Sequence, residues 1–192
     1  MNADTVARRN DAVLLVVDVQ ERLSAAMEHR DRVRATTARL IRTSALVGVP
    51  IIVTRQYPKG LGDTDTMLLE AIEAAQAGGA AVAHIDKVTF DCFLEPEFEG
   101  AVSVTARKQL ILTGMETHIC IAQTALSAVR TGFDCHVVAD ACCSRDDAHH
   151  TLGLHRLRTA GVVVTTSESA MYELVGKAGT DEFRALLGIV KD

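Results

Sequence analysis

Three residues of different chemistry each stand at the end of a short apolar run. Asp18 closes Leu14-Leu15-Val16-Val17-Asp18. A carboxylate placed directly after a buried strand is half-desolvated, and its pKa is drawn toward general-base use. Lys87 follows His84-Ile85-Asp86, flanked by Ile85, Val88 and Phe90, with less water around it than a surface lysine has. Cys120 ends Gly114-Met115-Glu116-Thr117-His118-Ile119-Cys120, where a turn leads into a helix. Free N–H groups and the macrodipole at a helix start favour a thiolate and would lower the Cys120 pKa. The same groups could hold an oxyanion. Taken singly, each residue has a plainer reading: a turn aspartate, a snorkelling lysine, a small buried thiol. Together they set a base, a cation and a thiol at the carboxyl ends of three strands.

The elements that must bring them together follow one rhythm, a short apolar run, a turn, then a longer amphipathic segment. The predicted strands are Ala12–Val17, Ile51–Thr54, Ala81–Ile85, Gln109–Thr113, Cys135–Ala139 and Val162–Thr165. Each is apolar on both faces, as strands covered by helices on both sides are. The predicted helices are Leu23–Val47, Met67–Ala77, Thr117–Thr131, Asp146–Ala160 and Glu168–Val175, with a further segment over Asp181–Val190. Glycines close most of them: Gly48, Gly78-Gly79, Gly132, Gly161 and Gly176 fall where a left-handed cap belongs. The alternation predicts an α/β domain over residues 1–192, three-layered and doubly wound, with about six parallel strands and helices on both faces. Ligands in such folds sit at the carboxyl ends of the strands. With strand order 3-2-1-4-5-6, Asp18 and Cys120 would be neighbours, and Lys87 would have to reach across from two strands away.

Composition narrows the function classes. The 192 residues are 48% hydrophobic and 23% charged, which excludes a disordered chain. The longest apolar runs, such as Ala12–Val17, fall far short of the roughly 20 residues a membrane span needs. No basic-then-apolar leader opens the sequence, so a cytoplasmic protein is expected. The net charge of −5, the absence of Trp and the presence of only two Tyr argue against a nucleic-acid binder. Five cysteines with no C-x-x-C pair read as free thiols.

The spaced motifs resemble the isochorismatase-like cysteine hydrolases, most closely the isochorismatase domain-containing subgroup of unassigned substrate. The resemblance rests on Val17-Asp18-Val19-Gln20, Gln56-Tyr57-Pro58-Lys59-Gly60-Leu61-Gly62, Gly114 to Cys120, Val138-Ala139-Asp140-Ala141-Cys142 and Thr165-Thr166-Ser167-Glu168. It implies a Rossmann-like fold and a catalytic triad of Asp18 as base, Lys87 as orienting cation and Cys120 as nucleophile. It also implies a cis peptide at Met115–Glu116 and an oxyanion hole from the backbone N–H groups of Glu116 and Cys120. Gln20, Tyr57, Phe90, Met115, Thr117 and His118 are the expected substrate-binding residues. The implied substrate is a small amide or related carbonyl compound, with no cofactor, and a homo-oligomer is expected. The metal-dependent nicotinamidase branch carries Asp-x-His after strand 2; here that place reads Arg55-Gln56-Tyr57-Pro58, so no metal is implied. Vinyl-ether-cleaving isochorismatases lack the cysteine that this chain keeps. The alternative is a catalytically idle oligomeric scaffold or a thiol redox sensor of the same fold.

Other groupings have simpler accounts. His118 and Cys120 are two apart and cannot meet on a helix. His118 either lines the pocket or is a solvated first-turn residue. His149, His150 and His155 with Asp146 and Asp147 fit a solvated helix face better than a metal cluster. Adjacent Cys142 and Cys143 rarely form an unstrained disulfide. Gly60-Leu61-Gly62 lacks the third glycine of a dinucleotide loop. Met171, Leu174 and Val175 form an apolar stripe that suits either core or subunit contact.

Overall fold

The computed structural model describes residues 4–191. Six strands, β1 (Ala12–Val17), β2 (Ile51–Gln56), β3 (Val82–Lys87), β4 (Gln109–Met115), β5 (Asp134–Cys143) and β6 (Val163–Thr165), form one parallel sheet. Their order is β3-β2-β1-β4-β5-β6, as the doubly wound reading expects. The helices are α1 (Glu21–Ala25), α2 (Arg30–Val47), α3 (Pro58–Leu61), α4 (Thr66–Ala77), α5 (Pro96–Val104), α6 (Ala122–Arg130), α7 (Asp147–Thr159), α8 (Ser167–Val175) and α9 (Asp181–Lys191). A 3-10 turn spans Cys92–Leu94, and a π-helical turn over Thr117–Ile121 runs directly into α6.

Side chains alternate across the sheet because the strand period is two. Leu14 and Val16 join one apolar layer with residues of α2, α4, α8 and α9. Val13, Leu15 and Val17 join the other with residues of α5, α6 and α7. This two-sided cover explains why β1 is buried along its whole length. Met171, Leu174 and Val175 are 2%, 1% and 3% exposed and belong to the first layer, so that stripe is core and not a subunit contact.

The differences from expectation are local. The long helix expected over Leu23–Val47 is two, α1 and α2, separated by residues 26–29. The helix α5 was not expected: its apolar face is only Phe98 and Val102, and Pro96 at its first turn reads as a breaker in sequence. Strand β5 runs on to Cys143, past an irregularity in its pairing with β4 between Leu112 and Gly114. Gly48 and Gly176 do take left-handed cap conformations. At Gly78-Gly79 the positive φ belongs to Gly79, one residue beyond the cap.

Candidate active site

The carboxyl edge of the sheet is set by register. Val17 of β1 stands beside Thr54 of β2 and Gly114 of β4, so the residues that follow emerge together. Gly114 has φ of 124°, and a Cβ there would lie 1.9 Å from the Val17 carbonyl oxygen. Only glycine lets β1 and β4 approach this closely at the edge. Asp18 follows at φ of 55°, a left-handed conformation that aspartate tolerates better than most residues.

The Asp18 side chain is fully buried and held at both oxygens. Thr54 donates its hydroxyl to Oδ1 at 2.7 Å, and Lys87 Nζ lies 2.7 Å from Oδ2. Lys87 has the reach that its place two strands away demands. Gln56, its register partner on β2, accepts from Nζ at 2.6 Å, and the Thr89 carbonyl accepts at 3.1 Å. The ammonium therefore makes two hydrogen bonds, to Gln56 and Thr89, beside its ion pair with Asp18. Gln56 in turn donates Nε2 to the Val88 carbonyl at 2.9 Å, which orients its carboxamide. Thr54 and Gln56 were missed in the sequence because neither is chemically conspicuous. Their alternate positions on β2, beside a lysine that has to cross that strand, are the signal that could have found them.

Burial opposes the Lys87 charge, but the Asp18 carboxylate beside it outweighs that cost and holds its pKa above the ordinary lysine value. Cys120, 5% exposed, behaves opposite to the sequence expectation. Burial, then the charge of Asp18, push its thiol well above the usual range, with Lys87 pulling it down only in part. A helix start lowers a thiol pKa where water and free N–H groups reach it, and here a carboxylate and an apolar layer surround it instead. Cys92, buried in the same layer, also feels Lys87 and Asp18, and its thiol is pushed up to about 12.

The Met115–Glu116 peptide is cis. Beyond it the Ile119 and Ile121 amides both donate to the Glu116 carbonyl, at 3.0 and 3.3 Å, while the Cys120 amide between them is not a donor to it.

The expected substrate-binding residues are dispersed. Tyr57 is 54% exposed and lines a cleft of about 280 Å³ with Pro58, Lys59, Lys87, Val88 and Glu95. Phe90 is 52% exposed beyond the end of β3. Gln20 is buried, and its carboxamide is spent on the Gln56 amide and on the Gln56 and Gly62 carbonyls. Met115 lies in the core, its sulfur accepting from Ser24. Thr117 meets His150 Nδ1 at 2.8 Å, and His118 Nδ1 meets Ser144 at 2.9 Å. Both side chains are thus bonded to residues 144–150, and His118, half-buried, also lines a cleft of about 270 Å³ with Ala122, His149, Leu152 and Arg156. Among the grouped acids and imidazoles, Asp146 caps α7, Asp147 pairs with His29, and the His149 ring lies 4.7 Å from that of His118. The Val138–Cys142 and Thr165–Glu168 motifs meet through Asp140, which accepts from the Ser167 amide and hydroxyl.

A family model described as the isochorismatase domain matches residues 12–169. The chain is 34% identical over 181 residues to isochorismatase domain-containing protein 1 of Danio rerio, covering 94% of this chain and 61% of that one. It therefore spans about three-fifths of that relative's length. Among solved structures, the MAR1 ribonuclease of Caenorhabditis elegans superposes with a TM-score of 0.87 at 29% identity, over 97% of this chain and 93% of the other. The YcaC product of Escherichia coli, described as an octameric hydrolase of unknown specificity, gives 0.84 at 25% identity over 98% and 92%.

Proposed function

The chain belongs to the isochorismatase family, and on that premise we propose that it is a cysteine-dependent hydrolase of a small amide or related carbonyl C–N substrate. The observation that carries the reading is the buried Asp18 carboxylate, ion-paired to Lys87 at 2.7 Å and near enough to Cys120 for its charge to raise the thiol pKa. A carboxylate beside the thiol needs no standing thiolate: it can take the proton as the sulfur attacks.

In the first half-reaction Asp18 takes the thiol proton, and the Cys120 sulfur forms a bond to the carbonyl carbon. The C=O pair moves onto oxygen, which the Glu116 and Cys120 backbone N–H groups receive. Collapse breaks the C–N bond, and the leaving amine takes the proton from Asp18. In the second half, Asp18 takes a proton from water, hydroxide adds to the thioester, and the sulfur leaves. The acid product is released, and the proton held by Asp18 returns to Cys120. Lys87 keeps its charge throughout and orients Asp18 through Oδ2.

The raised thiol pKa and burial of Cys120 weigh against a redox sensor, which needs thiolate character and exposure. Ribonuclease chemistry is not carried over from the C. elegans neighbour. The cleft beside Lys87 bears Asp86 and Glu95 as well as Lys59, a poor lining for a phosphodiester. The octameric E. coli neighbour supports self-association, which sedimentation tests against the chain mass of 20.6 kDa. Among the described residues no helix is long and apolar enough to cross a membrane.

The test is a carboxamide panel assayed with wild type, Cys120→Ala and Asp18→Asn, with intact-mass detection of an acyl adduct on the Cys120 peptide. Hydrolysis that survives Cys120→Ala, or a panel that gives neither turnover nor adduct, defeats the reading.

A further inference from the structure

Three consecutive residues of the turn before Cys120 are each held by the segment where β5 passes into α7. The Glu116 carboxylate, 5% exposed, accepts from the Arg145 amide at 2.8 Å and from Arg145 Nε at 3.1 Å. Thr117 Oγ1 bonds His150 Nδ1 at 2.8 Å, and His118 Nδ1 bonds the buried Ser144 hydroxyl at 2.9 Å. Gly153 lets α7 close onto the same turn. A Cβ there would stand 3.3 Å from the His118 amide nitrogen and Cα and from Thr117 Cγ2.

We propose that Ser144, Arg145 and His150 are positioning residues, a clamp that holds the backbone of the Glu116–Cys120 turn in the orientation its amides need to receive an oxyanion. The inference rests on the hydrolase reading above. A turn tethered at three successive side chains cannot rotate its peptide planes independently. An oxyanion-hole donor contributes about 10²–10³ in rate only when it is aimed beforehand, and a displacement of about 1 Å costs on the order of 10²-fold. None of the three touches the Asp18–Lys87 pair in the contacts described above, so the clamp acts through the turn and not on the base.

The experiment separates acylation from thiol reactivity. 4-Nitrophenyl acetate reports acylation: the sulfur displaces 4-nitrophenolate through a tetrahedral oxyanion, read as a burst at saturating ester. Iodoacetamide reports the thiol alone, because displacement of iodide at a saturated carbon builds no oxyanion. Arg145→Ala and His150→Ala are expected to slow the burst tenfold or more, with the half-saturating ester concentration within twofold. His150→Asn, which keeps a hydrogen-bonding atom near the Nδ1 position, recovers most of the rate. Alkylation of Cys120 by iodoacetamide stays within twofold in all three. The Arg145 side chain is 62% exposed, so its alanine variant keeps the protein testable if His150→Ala folds poorly. Unchanged bursts in Arg145→Ala and His150→Ala overturn the clamp, as does alkylation that falls in step with the burst. Wild-type release no faster than that of Cys120→Ala overturns the hydrolase reading itself, and the clamp with it.

Discussion

Asp18 and Lys87 form their ion pair across an intervening strand: 2.7 Å separates Oδ2 from Nζ, although β2 lies between β1 and β3. Both side chains are fully excluded from solvent. Removing one partner leaves the other charge buried and unpaired, at a cost of about 3–5 kcal/mol. Lys87→Met should therefore lower unfolding stability by that order in urea titration. The double variant Asp18→Asn/Lys87→Met should recover a large part of it. Equal stability of the single and double variants would show that the pair is not coupled as its geometry implies.

Asp18→Asn should move activity and thiol acidity in opposite ways. The raised Cys120 pKa comes first from burial and then from the Asp18 charge, so neutralising that charge brings the pKa down. Turnover falls at least about 100-fold because the base is gone. Alkylation of wild-type Cys120 should rise with pH only beyond the ordinary thiol value of about 8.5, and the rise should begin earlier in Asp18→Asn. A later rise in the variant contradicts the electrostatic assignment.

All five cysteines are buried and free, and all five thiols are raised in pKa. The folded state keeps these protons at pH values where the unfolded chain loses them. The stability they contribute is complete below the unfolded pKa of about 8.5 and declines above it, by about 1.4 kcal/mol per pH unit for each thiol. The decline runs up to the folded values, about 12 for Cys92 and for Cys143. Thermal melts from pH 7 to 10 should show a falling Tm over the upper part of that range. Cys135→Ala should flatten the slope while lowering stability at neutral pH. A flat profile in the wild type would contradict it.

Gly114→Ala tests the edge register. The added Cβ meets the Val17 carbonyl oxygen at 1.9 Å, and φ of 124° is closed to alanine. The loss of stability should exceed the about 0.5–3 kcal/mol typical of single substitutions, with loss of turnover in whatever folds. A Tm within a few degrees of wild type would refute this close approach.

Core burial has a simpler test. Leu15 is fully buried in the layer under α5, α6 and α7, and Leu15→Ala should cost about 2–5 kcal/mol in chemical denaturation.

Strand positions and sheet order were legible because buried parallel strands are written as short apolar runs separated by turn residues. Asp18, Lys87 and Cys120 were legible because chemistry at a strand end stands out against such runs. What periodicity could not carry was side-chain reach: Lys87 crossing β2, and Gln56 and Thr54 meeting it there, depend on register between strands far apart in sequence. Thr117 and His118 read as pocket residues because they precede the cysteine. Their bonds to the β5–α7 junction, a partnership over 26 to 33 residues of separation, could not be read there. The Cys120 pKa went the other way because helix position is visible in sequence and desolvation is not.

The two outer strands bear on how copies of this chain can meet. β6 is three residues long, and β3 turns His84 and Asp86 outward along its exposed rim. Neither offers a long, flat, apolar margin on which a neighbour's strand could continue the sheet. Assembly by edge pairing, and with it runaway growth into fibrils, is disfavoured by construction, and any contact between copies would fall to helices and loops.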